Sequence, residues 1–510
     1  MEGEFSSESS PTFQKGQHAA DRWSSRLILV FDSGWKGPVK TFQMNQPDSI
    51  SELNLNATIL MLWMLRTFWI FTCASMGVVK LRVAICGGGI AGLAHACALA
   101  RYPDVSVNIY ESTDKFSPFG AGIGVWPRAW NVLCALGLGE DMAKITSGSP
   151  SSSPVQSFSF RKSDQPSGFT FGNMFSRGPL LTFHRAQFQE VLVQHLPPSC
   201  RIHHSKRLKS YSQGRLGYPI RLLFEDGTYA TCDVLVGADG IKSAVRNCLL
   251  QDQTEIARES GRPTDEQKTL TCKDHVSWAG SIAYRALIPV ERLKEDCDQG
   301  LLVLPMTPTM YVGTDVHMVV YPVSKGQEVN LALFHFRPEL QGMPFHGPWS
   351  KGVDESELFD VAHFESWEPE VQRWLKVRLP FVILHQTLNV RLQRTAAART
   401  RELEQDKPSR SVPYYDICDP RTTLNTVQQA LKIYDKFRRP WTQDASAKAM
   451  ANGRYFTLHY DGFDFVHADA AAVVQKLHEL SDVMIDEWKW CWTTTVEDSL
   501  KAALSQLQYA

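Results

Sequence analysis

A short apolar strand that runs straight into spaced glycines and then a helix leaves a chain few folds to choose from. Leu81 to Cys86 (LRVAIC) is apolar and partly β-branched, as a strand buried in a parallel sheet must be. Gly87, Gly89 and Gly92 follow in GGGIAG with GxGxxG spacing, and IAGLAHACALAR continues in small and helix-forming residues. Val105 to Tyr110 (VSVNIY) forms a second strand, and Glu111 ends it, 19 residues beyond Gly92. One glycine makes the tight turn, the next lets a pyrophosphate reach the backbone, and the third lets helix and strand pack closely. The helix N-terminus then faces the phosphates, and an acid at the end of the second strand takes the ribose hydroxyls. Together these parts predict an adenine dinucleotide site on a doubly wound α/β unit.

Three further segments belong with this one. FGAGIGVWPRAWNVLCALGL, residues 119–138, is a glycine-rich loop that carries Gly122 and enters an amphipathic helix. Arg185 opens another helix in FHRAQFQEVLVQHL, and GADGIKSAVR places Asp239 and Gly240 in a turn after an apolar strand. An Asp-Gly pair alone marks a turn, and Asp226-Gly227, between RLLFE and TYATCDV, is expected to be a plain hairpin. With these segments the chain resembles the single-component FAD-dependent aromatic hydroxylases, in particular the fungal salicylate hydroxylase-like monooxygenases. The resemblance covers about residues 77–375 and again about 419–510.

That resemblance implies FAD as cofactor, NAD(P)H as co-substrate, O2, and a small aromatic substrate hydroxylated in degradation or secondary metabolism. An oxidase or epoxidase on the same fold is an alternative. The fold class it implies is mixed α/β (α+β): a Rossmann-like FAD-binding domain, a β-rich substrate domain and a helical C-terminal part. Residues 76–250 and about 376–510 make the discontinuous FAD-binding domain, and 251–375 the substrate domain. Cofactor contacts fall to Gly87, Gly89, Gly92, Glu111, Gly122, Arg185, Asp239 and Gly240, with Arg185 and Asp239 assigned by their match to the family. Residues 251–270 are polar and read as an exposed loop or insertion. The stretches 276–290 and 315–339 alternate like antiparallel strands, with a hairpin at Ser324 to Gly326. Tyr284, Arg285, His317 and Tyr321 on these strands are the candidate substrate-pocket groups. No catalytic base is nominated.

One expected part is absent. The family carries a late glycine-rich signature, GDAAHxxxPxxGxG, that wraps the flavin with backbone N–H groups, yet from Val353 to Asn452 this chain runs 100 residues without a glycine. Backbone that must approach a cofactor closely depends on glycine. Residues 391–412 instead carry nine charges and no strand pattern. An amphipathic helix then returns in TTLNTVQQALKIYDKFRRPWTQ, and WKWCWTTTVEDSL also fits family tails. Either the chain as written omits or misreads an exon, or it is a non-catalytic or truncated relative that binds FAD weakly or not at all.

Composition narrows the rest. With 53 basic and 54 acidic residues no net field recruits nucleic acid. The 11 Cys are scattered, without CxxC or a Cys/His cluster at metal spacing, so neither a zinc site nor a disulfide scaffold is expected. Residues 1–75 form an N-terminal extension, and 57–79 hold a long apolar run broken only by Arg66. The run is long enough for a membrane helix, although a central Arg opposes insertion by at least about 2.5 kcal/mol. The expected location is therefore cytoplasmic, or membrane-associated with a cytoplasmic catalytic part. Met76 is an alternative start. The sequence leaves open the substrate, NADH against NADPH, and the oligomeric state.

Overall fold

The computed structural model describes residues 79–116, 121–213, 218–261, 277–295, 307–343, 350–353, 361–376, 381–388 and 426–508. All lie within one compact unit, Gly77–Ala510. The apolar run at 57–78 and the charged segment 391–412 fall outside the described residues. Among the described residues no helix is long and apolar enough to cross a membrane.

The first half runs β1 (Leu81–Cys86), α1 (Ile90–Leu99), β2 (Val105–Tyr110), β3 (Gly122–Val125), α2 (Pro127–Ala135), α3 (Gly139–Ile145), β4 (Pro154–Lys162), β5 (Phe169–Arg177), β6 (Leu181–His184), α4 (Arg185–Gln194), β7 (Arg201–His203), β8 (Leu208–Ser212), β9 (Ile220–Phe224), β10 (Tyr229–Cys232), β11 (Val234–Gly237) and α5 (Ala244–Glu259). The second half runs β12 (Ser277–Pro289), α6 (Val290–Glu295), β13 (Thr309–Gly313), β14 (Val316–Val323), β15 (Glu328–Phe336), β16 (Ser350–Val353), α7 (Pro369–Lys376), β17 (Phe381–Leu388), α8 (Val427–Tyr455), α9 (Ala470–Trp488), α10 (Trp490–Thr493) and α11 (Glu497–Gln508).

β1 is the hub of a parallel sheet of order β11-β1-β2-β7. Its residues pair in register with both neighbours, Leu81 with Val105 through Cys86 with Tyr110, and Val83 with Val234 through Cys86 with Gly237. Leu81, Val83 and Ile85 are buried with Leu93, Ala96 and Leu99 of α1, so the β-α-β unit closes one continuous core. The Asp226-Gly227 turn joins antiparallel β9 and β10 with Gly227 at φ +81°, as expected of a hairpin.

A second sheet of eight strands, order β16-β17-β12-β15-β14-β13-β4-β5, stands beside it. β14 and β15 turn at Ser324 to Gly326, the hairpin the sequence marks. The sheet is wider than residues 251–375, because β4, β5 and β17 also hydrogen-bond into it. Two-residue alternation divides each strand between two faces. Tyr284, Ile288, Met318, Val320, Leu331 and Leu333 lie on the outer face under Trp374 of α7. On the inner face Phe158, Phe160, Met310 and Val312 lie under Leu477, Leu480 and Met484 of α9.

The polar stretch after 250 departs from the loop expected there. α5 continues to Glu259 because Arg246, Leu249, Leu250, Gln253 and Ala257 recur at helical spacing and are buried, whatever the mean polarity of the segment.

Candidate active site

The carboxyl ends of β11, β1 and β2 lie side by side, at the edge where open α/β sheets usually take their ligands. Gly87 leaves β1 at φ +105°, and a Cβ there would lie 2.3 Å from the Ala238 carbonyl oxygen, so this turn closes only on glycine. At Gly92 a Cβ would meet the Gly87 carbonyl at 2.0 Å, which fixes how closely α1 packs on β1. Gly89 differs: a Cβ there meets nothing within 4 Å and points into open space. Gly89 also caps α1 without any side-chain hydrogen bond, so no side chain at the cap satisfies the helix's first N–H groups.

The Gly88 peptide is held from both sides. Its N–H donates to Glu111 Oε2 at 2.7 Å, and Gln189 Nε2 of α4 donates to its carbonyl at 2.7 Å. Glu111 Oε1 accepts from the Ser112 hydroxyl and from the N–H and hydroxyl of Thr113. Burial pushes the Glu111 carboxyl up, but the hydrogen bonds from Thr113, Gly88 and Ser112 outweigh it and hold the group below the usual carboxylate range. The expected ribose acceptor is thus an anion already engaged with its own loop, with acceptor capacity left on Oε2. Asp239 takes a local part as well. It accepts from the Ser243 hydroxyl at 2.6 Å and the Val245 N–H at 3.2 Å, which fastens the start of α5 beside Gly87, and Gly240 turns at φ +73°.

The glycine loop joins the two sheets. β3 pairs antiparallel with β6, Gly122 opposite His184, and the Arg185 N–H donates to the Ala121 carbonyl at 3.0 Å. Arg185 therefore begins α4 at the loop's edge, one turn from Gln189 on the same helix face. Gly122 abuts the inner face of the eight-stranded sheet. Its N–H donates to Asn330 Oδ1 at 2.7 Å, and a Cβ would lie 2.6 Å from the Tyr321 ring.

From that contact the inner face presents Tyr321 and Asn330, then Arg285, then His317 and Phe334. His317 stacks on Phe334 with ring centroids 4.5 Å apart and meets Phe456 edge-on, and burial pushes its imidazole down to about 3, so it is neutral. Burial lifts the Tyr321 phenol to about 12, and Arg285 opposes that rise. Arg285 sits 5.9 Å from the Phe334 ring centroid, and burial lowers its pKa. Among the described residues no carboxylate pairs with it, and its Nε lacks a partner. His317 Nδ1 and Asn330 Nδ2 are likewise buried without partners. Tyr284 is not part of this group. It points to the outer face and packs in the core beneath α7, because neighbouring residues of a strand face opposite ways.

Gln189 and Asn330 are missing from the sequence-derived candidates. A polar residue amid the apolar run of β15, 1% exposed, is the signal that would have found Asn330. Gln189 is signalled only by its four-residue spacing from Arg185.

Residues 80–270 match the FAD binding domain family. An FAD-dependent monooxygenase of Strobilurus tenacellus is 30% identical over 471 residues, covering 84% of this chain and 98% of the relative. The chain belongs to the FAD-dependent aromatic hydroxylases. A salicylate hydroxylase of Pseudomonas putida is 26% identical over 453 residues, with 83% of this chain and 94% of that one aligned. A solved salicylate hydroxylase–substrate complex shares the fold at a TM-score of 0.61 and 21% identity, covering 84% of this chain and 98% of that chain.

In this chain the adenosine-pyrophosphate half of the site, at the carboxyl ends of β1 and β2, fits FAD. The open face at Gly89 leaves room for a pyrophosphate, and the N-terminus of α1 would supply its donors. His184 Nδ1 and Gln187 Oε1, at the junction of β6 and α4, are buried without partners among the described residues and add polar capacity beside Gly122.

Proposed function

We propose that the chain hydroxylates a small aromatic acid, using NAD(P)H and O2, with one oxygen atom entering the ring and the other leaving as water. The observation that carries this reading is Arg285. A half-buried guanidinium whose Nε is shielded and which meets no carboxylate among the described residues is costly, and an anionic ligand is what relieves it. Its neighbours suit a planar ring: the Phe334 face, the Tyr321 ring, and the unpartnered nitrogens of Asn330 and His317. Gly122, touching Tyr321 and Asn330, brings this face against the cofactor loop. Salicylate in the names of two relatives supports the same class of substrate.

Bound FAD would supply the redox and oxygen chemistry, which side chains cannot. The protein's own residues then have distinct tasks. Gly87, Gly89, Gly92, Glu111, Asp239 and Gly240 would hold the dinucleotide, Arg185 and Gly122 its flavin side, and Arg285 would fix the substrate carboxylate. His317, kept neutral, offers a hydrogen bond to the ring substituent without carrying charge into the pocket. The eight-stranded sheet serves as the substrate domain, and secondary metabolism or aromatic degradation is the setting we favour.

The test is steady-state NAD(P)H oxidation by the FAD-loaded chain, comparing a hydroxybenzoate with the phenol that lacks its carboxylate. Arg285→Met should raise KM for the acid more than about thirtyfold and leave the phenol nearly unchanged, since unpairing a buried charge costs at least about 2 kcal/mol. Equal effects on acid and phenol would remove the carboxylate from the account.

A further inference from the structure

The end of β7 holds a cluster that the flavin-side groups do not explain. Strand order places it. The pyrophosphate position lies at the end of β1 and the ribose acid Glu111 at the end of β2, so the next element along the dinucleotide, its base, falls at the end of β7. There the backbone zips onto the segment after β2. The Glu111 N–H donates to the His203 carbonyl at 2.9 Å, the Lys206 N–H to the Glu111 carbonyl at 2.7 Å, and the Ser205 N–H to the Thr113 carbonyl at 2.9 Å. His204 is the residue left at the bend.

Three features set His204 apart. Ser205, which follows it, sits at φ +55°, a left-handed conformation uncommon outside glycine. The His204 ring meets Phe116 edge-on with centroids 5.0 Å apart, and Phe116 covers Gly88, where a Cβ would lie 2.7 Å from Phe116 Cε1. His204 Nδ1 is shielded from water and has no hydrogen-bond partner among the described residues. Its neighbour His203 is fully accounted for, stacked on Tyr110 and bonded to Asn108 Oδ1 at 2.9 Å. A strained bend, an aromatic wall and an unpartnered imidazole nitrogen converge beside the ribose acid. Packing alone gives no reason to bury that nitrogen unpaired.

Resting on the FAD assignment, we propose that His204 reads the adenine base of the dinucleotide, with Phe116 as the aromatic wall between the base site and Gly88. An imidazole suits the task, because Nδ1 donates or accepts according to tautomer and so matches either the amino group or a ring nitrogen of adenine. Guanine places a carbonyl where adenine has that amino group, so a residue that reads the base must discriminate the two.

The experiment measures ADP and GDP binding to the full-length chain freed of flavin, by calorimetry, with melting temperature as a control for folding. The wild type should prefer ADP. His204→Ala should shrink the ADP-to-GDP preference about tenfold, the size of one lost hydrogen bond, by weakening ADP alone. His204→Gln, which keeps a donor and an acceptor, should recover part of the preference. A structural role would weaken both nucleotides together, and an unchanged ratio would overturn the proposal while leaving the FAD assignment standing if FAD still binds. A wild type that binds neither ADP nor FAD would overturn both.

Discussion

Two neighbouring glycines in the fingerprint should respond in opposite ways to the same added methyl group. At Gly92 the new Cβ would lie 2.0 Å from the Gly87 carbonyl oxygen and 3.2 Å from Ile85 Cγ2. The first of these is backbone and cannot swing aside, so α1 must lift from β1 and loosen the core shared by Ile85, Leu93 and Ala96. Overpacking of this kind costs about 1–3 kcal/mol or more, against which alanine's better helix propensity returns about 1 kcal/mol. Gly92→Ala should therefore cost up to about 2 kcal/mol net, roughly a 2 °C fall in melting temperature for a unit of this size, and weaken FAD as the helix shifts. At Gly89 the Cβ meets nothing within 4 Å, and φ is −70°, which any residue adopts. There the poorer cap and the stiffer unfolded chain roughly cancel, so Gly89→Ala should melt within about 0.5 °C of the wild type. The methyl would instead occupy the pyrophosphate's path, and FAD affinity should fall at least about a hundredfold, roughly 3 kcal/mol. Thermal melts and quenching of flavin fluorescence measure both quantities. A Gly89→Ala protein with wild-type FAD affinity would refute the placement of the pyrophosphate over this turn.

Acid should reveal the buried imidazole. His317 titrates near 6.5 unfolded but only at about 3 when folded, so between those values the unfolded chain binds a proton that the native one refuses, and stability is lost as pH falls. Urea midpoints at pH 7 and at about 4.5 should show roughly 2 kcal/mol less acid destabilisation in His317→Leu than in the wild type, and equal losses would contradict a neutral buried imidazole. Arg128 ties the C-terminal tail to the residues after the glycine loop: it donates to Thr494 Oγ1 and the Thr495 carbonyl, both at 2.6 Å, with its guanidinium 4.8 Å from the Trp441 ring. Arg128→Met should cost about 2–3 kcal/mol and expose the tail to limited proteolysis, whereas an unchanged midpoint would show that the clamp contributes nothing.

What the sequence reveals follows from how local each cause is. The β1-glycine-α1-β2 unit is legible because strand composition, turn geometry and helix start act within 31 residues, Leu81 to Glu111. The hairpins at Gly227 and Ser324 to Gly326 are legible for the same reason. The side of β12 that shares a face with Asn330 and the Gly122 contact is not. Ala283, Arg285 and Leu287 alternate with Tyr284, Ala286 and Ile288, so both faces look equally apolar, and only pairing with β15 decides that Arg285 faces inward and Tyr284 outward. Gln189 and Asn330 escape for a similar reason: each joins the candidate site through a contact 101 or 208 residues away. The end of α5 was hidden by composition, since its buried stripe includes the polar Arg246 and Gln253.

The central claim is that this chain holds FAD and spends reducing equivalents on an aromatic acid, although residues 353–452 contain no glycine. The direct measurement is to load the purified full-length chain with FAD, desalt it, count flavin per chain, and follow NAD(P)H and O2 consumption with and without a hydroxybenzoate. The account predicts one retained flavin per chain and consumption that accelerates with the acid and yields hydroxylated product. A colourless chain after desalting, or consumption indifferent to the acid, would contradict it.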